Sequence, residues 1–341
     1  MRSFGSDNHS GIHPDILEAI NKANRDHTIA YGDDPYTTLA AEKVKQLFGS
    51  EAQFFPMFNG TGANICALRA CVQPFHAIMA PDSGHIFVDE CGAPEWLTGA
   101  AIKSIPTTDG KITPEMVASM FHYLGFEHHS QPKVLYISQL SELGTLYTPA
   151  EIKALADLLH QHNMYLHMDG ARIANAAATL GCTLKEITAD AGVDILSFGG
   201  TKNGMMLGES VITFKPELAE NMKYIRKQST QLYSKMRFCS AQFLAYFEND
   251  LWLKNAQHAN QMAQILRSEM AGLHPFVFSQ STDGNIILVT LEPQIIDEML
   301  QHHFFYIWNE TTHEIRLVTS WDTTLEDINL FIEDLKKCLN K

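Results

Sequence analysis

A chain of 341 residues is longer than the ~250–300 at which a single hydrophobic core stops growing, so two domains are expected. Its 45% hydrophobic and 19% charged residues describe a globular protein with a large core and exclude a disordered one. A formal charge of −14 argues against nucleic acid or an anionic membrane surface as partner, though not against a small anion held by a local cluster of donors. No apolar run approaches the ~18 residues of a membrane span, and Met1–Asn8 carries no apolar signal core. Six cysteines without metal or redox spacing read as reduced thiols of a cytoplasmic protein. Among the 16 histidines, the adjacent pairs His128-His129 and His302-His303 read as solvated surface residues, because neighbours on one element point apart. No metal site is expected.

In chain order, residues 1–14 form a polar arm containing Ser6-Asp7-Asn8-His9, either disordered or crossing a binding site. A helix begins near Asp15, with Pro14 at its start. The turn cluster Tyr31-Gly32-Asp33-Asp34-Pro35-Tyr36 leads into a second helix over 37–48. An apolar run at Phe54–Phe58 then meets Asn59-Gly60-Thr61-Gly62-Ala63-Asn64, and a helical pattern follows (Ile65, Leu68, Cys71, Val72). Strand, glycine loop and helix N-terminus together form a phosphate cradle, in which free N–H groups and the helix dipole converge on an anion. The loop also fits a tight turn. It is neither a P-loop nor a full dinucleotide fingerprint.

His85, beside the apolar Ile86-Phe87-Val88, is expected at the edge of a further strand. A strand over 133–138, a helix over 149–163 and a strand over 211–214 continue an alternation that predicts a mostly parallel sheet covered on both faces. Between them lies the stretch Tyr165–Gly204. Two short apolar runs there end in small residues and deliver Asp169, Arg172 and Lys202 to the carboxyl ends of neighbouring strands, where open α/β sheets bind ligands. A lysine among Gly199, Gly200 and Gly204 suits a Schiff base, and the aspartate suits a pyridinium nitrogen; a surface lysine and an Asp-Gly turn are the plainer reading. Residues 216–235 are helical in pattern and basic, either a solvated face or an anion site. A helical pattern over 239–270 leads to strands over 286–291 and 314–321 and helices over 293–302 and 324–339, with Arg316 on the later strand.

A cradle, a lysine, an aspartate and two separated arginines answer every charged part of pyridoxal 5′-phosphate (PLP) carrying an amino acid. Ser6-Asp7, Tyr31–Pro35, Gly60–Asn64, His85, His167–Arg172, Lys202 and Ile315–Val318 together resemble the fold-type I PLP enzymes, and among them the threonine aldolases of the β-eliminating lyase group, nearly end to end. The resemblance implies an α/β, aminotransferase-like large domain with a mostly parallel sheet over 15–245 and a smaller α+β domain over 246–341, after an arm over 1–14. It implies that Lys202 holds PLP as a Schiff base, Asp169 meets the ring nitrogen and His85 stacks on the ring. Gly60, Thr61 and Thr201 would hold the phosphate, and Ser6, Arg172 and Arg316 the substrate carboxylate. It further implies a homo-oligomer, dimer or tetramer, with shared sites, in which a neighbour lends Tyr31 and a lysine and arginine matched here by Lys227 and Arg237. Where many threonine aldolases carry a loop histidine, this chain has Glu142, a different base for the substrate hydroxyl. The implied reaction cleaves L-threonine, L-allo-threonine or a related β-hydroxy-α-amino acid to glycine and an aldehyde. Another PLP reaction on a small amino acid, β-elimination or racemisation, stands as the alternative. A non-catalytic binding protein is disfavoured by the intact Lys202 and Asp169. A nicotinamide enzyme is disfavoured by the missing acidic residue after a second strand.

Overall fold

The computed structural model describes residues 3–340; residues 1 and 2 of the expected arm and residue 341 lie outside it. Seven strands form the main sheet: β1 (Gln53–Met57), β2 (His76–Pro81), β3 (Ala101–Ile105), β4 (Gln131–Ser138), β5 (Tyr165–Gly170), β6 (Ile195–Gly199) and β7 (Glu209–Thr213), in the order β1-β7-β6-β5-β4-β2-β3. Pairing is parallel from β3 through β6, and β7 runs antiparallel to both β6 and β1. The fold is α/β. Successive residues alternate between two cores, as the strand period of two requires. Val134, Tyr136, Ile195 and Val211 pack toward the helix Gly60–Cys71. Leu135, Ile137, Leu196 and Ile212 pack on the opposite face.

A second, antiparallel sheet has the order β10-β11-β9-β8, with β8 (Val277–Phe278), β9 (Ile286–Thr290), β10 (Tyr306–Asn309) and β11 (Glu314–Val318). Its core holds Ile287, Val289, Ile315, Leu317 and Phe331 together with Phe4 from the N-terminal arm. The arm is tied down: Phe4 N–H donates to the Phe304 carbonyl at 2.9 Å, the Phe4 carbonyl accepts from Val318 N–H at 2.7 Å, and His13 N–H donates to the Gly204 carbonyl at 2.9 Å. Helix Leu251–Leu273 links the two cores, giving Trp252 and Ala256 to one and Met262, Leu266 and Met270 to the other.

Four sequence expectations change. The glycine loop is the first turn of helix Gly60–Cys71 itself, capped by Asn59, whose side chain accepts from Gly62 N–H. The run at 86–88 is a helical turn, His85–Val88, and not a strand, because β2 has already ended at Pro81 and Phe87 and Val88 face solvent. The pattern over 239–270 breaks into Arg237–Phe247 and Leu251–Leu273, with Asn249 and Asp250 left-handed between them at φ 51° and 56°; such residues bear that conformation best after glycine. Lastly, His303 is buried and hydrogen-bonds Asp334 at 3.0 Å, while His128, His129 and His302 are exposed.

Candidate active site

The carboxyl ends of β4, β5 and β6 and the start of helix Gly60–Cys71 enclose one cavity. Of the residues singled out from sequence, Gly60, Thr61, His85, Glu142, Asp169, Arg172 and Lys202 line it. The register explains the convergence: Ser138 pairs with Asp169 and Asp169 with Ser197, so three strand ends lie level, and Lys202 follows β6 by three residues.

Asp169 is enclosed by donors. Its Oδ2 accepts from the Asn64 amide at 2.8 Å and the Tyr136 hydroxyl at 2.9 Å, and its Oδ1 from Ala171 N–H at 2.9 Å. Burial alone would raise its pKa; the Asn64 amide and the charges of His85 and Lys202 outweigh burial and hold it below the usual carboxylate value. The Asn64 amide also donates to Glu90 at 2.9 Å, and Glu90 meets His85 Nδ1 at 2.9 Å. That last bond raises the His85 pKa against the effect of burial. Across the cavity, Glu142 Oε1 accepts from His85 N–H at 2.8 Å and from the Ser138 hydroxyl at 2.7 Å, and its buried Oε2 has no partner. Burial raises the Glu142 pKa. The Lys202 amine is pushed down by burial first and by Arg172 second.

Beyond Lys202 lies a cationic end. Arg172 donates from Nε and Nη2 to the two oxygens of buried Asp7, at 2.7 and 2.9 Å, and Asn285 also donates to Asp7 at 2.9 Å. Arg316 stacks 4.6 Å from the Trp308 ring centroid. It has no ion pair among the described residues, and its buried Nε lacks a hydrogen-bond partner. Burial and then the charge of Arg172 lower its pKa. Two guanidinium groups answered by one carboxylate leave room for a second anion. Ser6 caps the short turn Asp7–His9, its hydroxyl accepting from Asn8 N–H, and that turn packs on the Thr201–Asn203 turn.

Tyr31, Lys227 and Arg237 do not line this cavity. They gather elsewhere on the chain: Lys227 Nζ lies 5.5 Å from the Tyr31 ring centroid, Tyr31 N–H donates to Ser234, and Arg237 donates to the carbonyls of Arg25 and Asp26. The expected helix over 216–235 forms only at Pro216–Ala219 and Met222–Gln228. In the loop after it, Gln231 accepts from Phe58 N–H and packs flat on Gly62, where any Cβ would collide with it.

Asp7, Asn64, Glu90, Tyr136, Ser138, Gln231, Asn285 and Glu209 carry no role in the sequence reading. Tyr136 and Ser138 were open to it: they stand two apart on one strand, hence on one face. So was Glu209, an isolated acid just before the apolar pair Val211-Ile212.

The donor set fits pyridoxal phosphate. Lys202, half-buried, has no hydrogen-bond partner for its amine among the described residues, Asp169 is ionised, the helix start is bare of side chain at Gly60, Glu142 on the cavity wall keeps an unpartnered oxygen, and Arg316 keeps an unpartnered Nε near Arg172.

A family model described as beta-eliminating lyase matches residues 3–292. The chain is a member of the beta-eliminating lyase family. It is 37% identical over 336 residues to the low specificity L-threonine aldolase of Pseudomonas aeruginosa, covering 98% of this chain and 97% of that one. It is 36% identical to the low specificity L-threonine aldolase of a Pseudomonas species over 99% of this chain and 98% of the other. Its fold superimposes on the threonine aldolase of Leishmania major with a TM-score of 0.94, 30% identity and 99% coverage of each chain. Aspartate aminotransferase of Thermus thermophilus shares the fold, with a TM-score of 0.71 and 16% identity.

Proposed function

We propose that this beta-eliminating lyase is a PLP-dependent carbon–carbon lyase that cleaves L-threonine, L-allo-threonine or a related β-hydroxy-α-amino acid to glycine and an aldehyde. The observation that carries the reading is the convergence of Lys202, an ionised Asp169, Arg172 and Glu142, with its unpartnered oxygen, on one cavity, with Arg316 outside that lining but near enough for the charge of Arg172 to lower its pKa. The near full-length similarity to proteins named for that reaction supports it.

Lys202 would hold the cofactor's carbonyl carbon, Asp169 its ring nitrogen, His85 its ring face, and Gly60, Thr61 and Thr201 its phosphate. Once bound, the cofactor supplies a sink for the electron pair released when the Cα–Cβ bond breaks. The rest falls to the chain. Arg172, Arg316 and Ser6 bind the substrate carboxylate, and this anchoring selects which bond at Cα stands ready to break. Glu142 accepts the proton of the substrate hydroxyl at its free Oε2. Its raised pKa brings it closer to working pH, which makes it a better base than an ordinary carboxylate. Asp169 stays anionic and so keeps the ring nitrogen protonated.

Tyr31, Lys227 and Arg237 are read as completing the site of a neighbouring copy, in a dimer or tetramer; closed symmetric dimers are the commonest oligomers. Among the described residues no helix is long and apolar enough to cross a membrane. The six cysteines are all free thiols, which suits a cytoplasmic setting.

The test is incubation of the PLP-loaded protein with L-threonine, L-allo-threonine, phenylserine and their D-isomers. Glycine and an aldehyde from the L-isomers are expected. Release of ammonia and a keto acid, or inversion at Cα without cleavage, would replace the aldolase reading with elimination or racemisation.

A further inference from the structure

Glu209 opens β7, in register with Gly199 on β6 and Met57 on β1, which places it level with the end of the cavity where helix Gly60–Cys71 begins. Its side chain is turned into that end: Oε2 lies 3.8 Å from the position of a Cβ on Gly60 and 2.9 Å from that of a Cβ on Gly199. The residue is only 9% exposed. Thr201, on the turn that carries Lys202, stands beside it, and its hydroxyl and backbone N–H favour the charged form of the carboxyl against burial. A carboxyl therefore stands among the very groups that would receive the cofactor's phosphate, and the mechanism above gives it nothing to do.

The other titratable groups facing Glu209 do not neutralise it. Lys202 and Asp169 reach it from the site with opposite charges, and Cys239 and Tyr246 face it from helix Arg237–Phe247. Burial raises the pKa of both of these and keeps them uncharged. Met57 and Gly199, its neighbours in register, carry no charge, and no arginine of this chain lines the cavity on that side: Arg172 belongs to the carboxylate end. An ionised carboxylate here would repel a phosphate dianion at short range in a poorly solvated cleft. A neutral carboxyl would instead donate its O–H to a phosphate oxygen.

We propose that Glu209 is a proton-carrying member of the phosphate cradle, so that binding the phosphate-bearing cofactor is coupled to uptake of one proton by this carboxyl. The proton comes from solvent and ends on a Glu209 oxygen, from which it is shared with a phosphate oxygen; no covalent bond changes. The inference rests on the PLP reading of the site. Burial, only partly offset by Thr201 and Lys202, lifts the Glu209 pKa to about 7, so the linkage falls near neutral pH. Above that value the free site has lost the proton that the loaded site needs, and cofactor affinity should fall by about tenfold per pH unit, as a one-proton linkage demands.

The experiment uses pyridoxamine 5′-phosphate, which carries the phosphate but has no carbonyl to condense with Lys202. Titration calorimetry at about pH 8, in buffers of different ionisation enthalpy, counts the protons taken up. Wild type should take up about one proton more than Glu209→Gln, and the affinity of the variant should lose the steep fall toward high pH. Equal proton counts in the two proteins would overturn the proposal, as would a variant that binds more weakly with its pH dependence unchanged, since that would mean an ionised Glu209 serves the site. Should the variant fail to fold, wild type alone decides: proton uptake with pyridoxamine 5′-phosphate and none with pyridoxamine supports the proposal, and no uptake with either refutes it. Failure of wild type to bind pyridoxamine 5′-phosphate at all would end the PLP reading and this inference with it, whereas binding without proton uptake would end this inference alone.

Discussion

Asp169 and Glu142 face one cavity from the ends of adjacent strands and the loop between them, yet their carboxyls are driven in opposite directions. Burial raises both. At Asp169 it is overcome by the Asn64 amide, by the charges of His85 and Lys202 and by Ala171 N–H. At Glu142 it prevails, because only the Ser138 hydroxyl and backbone N–H groups oppose it, and the charge of Asp169 pushes the same way. The geometry agrees. Asp169 uses both oxygens on three donors, while Glu142 uses one oxygen on two donors and leaves the other bare. Donor supply thus divides the labour: one carboxyl is fixed as an anion, and the other is left close enough to protonation to act as a base.

The largest break in this comparison is Lys202→Ala. It removes the amine that would hold the cofactor and one of the charges that keep Asp169 ionised. Glycine formation should drop below detection while circular dichroism shows an intact fold; turnover near wild type would remove Lys202 from the mechanism. Borohydride reduction of the wild-type protein with PLP should fix the cofactor to this residue and no other, as read from a peptide map.

Glu142→Gln is the next break. It keeps the shape of the side chain and removes its basicity, so cleavage of L-threonine should slow by ~10²–10⁴, the usual span for a general base. Glycine has no hydroxyl, and its affinity should hardly change. The pH profile gives the sign: the base works deprotonated, so the rate should rise with pH through the raised Glu142 pKa, and this acid limb should vanish in the variant. A loss below about threefold on both threonine isomers, with glycine binding intact, would exclude Glu142.

The parts of this site open to sequence reading are those fixed by local grammar. Glycines on either side of Lys202, and Gly60-Thr61-Gly62 between an apolar run and a helical pattern, are marked by what their own neighbours permit. The supporting residues are not. Asn64 touches Asp169 across 105 residues and Asn285 touches Asp7 across 278, and no periodicity within one element records such a bond. For the same reason β2 and β3, short strands between turns, carry too little alternation to stand out in the sequence, and His85, beside an apolar run, reads as a strand edge although it opens a helical turn. The break at Asn249-Asp250 is hidden because the apolar residues before it, Phe243 and Phe247, and after it, Trp252 and Ala256, serve the same core and so read as one continuous pattern.

The smallest expected effect sharpens the comparison most, because it falls on the hydroxyl pair that links the two carboxyls. The Tyr136 hydroxyl donates to Asp169 Oδ2, and the Ser138 hydroxyl lies 3.1 Å from the Tyr136 oxygen and 2.7 Å from Glu142 Oε1. A single hydroxyl proton cannot serve both acceptors fully. In Tyr136→Phe, Asp169 keeps the Asn64 and Ala171 donors and remains an anion, so the loss in kcat should be about 2- to 12-fold, the equivalent of one net hydrogen bond of ~0.5–1.5 kcal/mol. Ser138, with its second acceptor removed, then donates to Glu142 alone. A stronger bond to the charged form lowers that carboxyl's pKa, so the acid limb of the pH–rate profile should move to lower pH even as the plateau falls. Ser138→Ala should move the same limb upward, since it strips a donor from Glu142. Opposite shifts from two substitutions on one strand face would show that Glu142 is tuned through Ser138; shifts in the same direction would mean that the two carboxyls are set independently and that Tyr136 only fills the space between them.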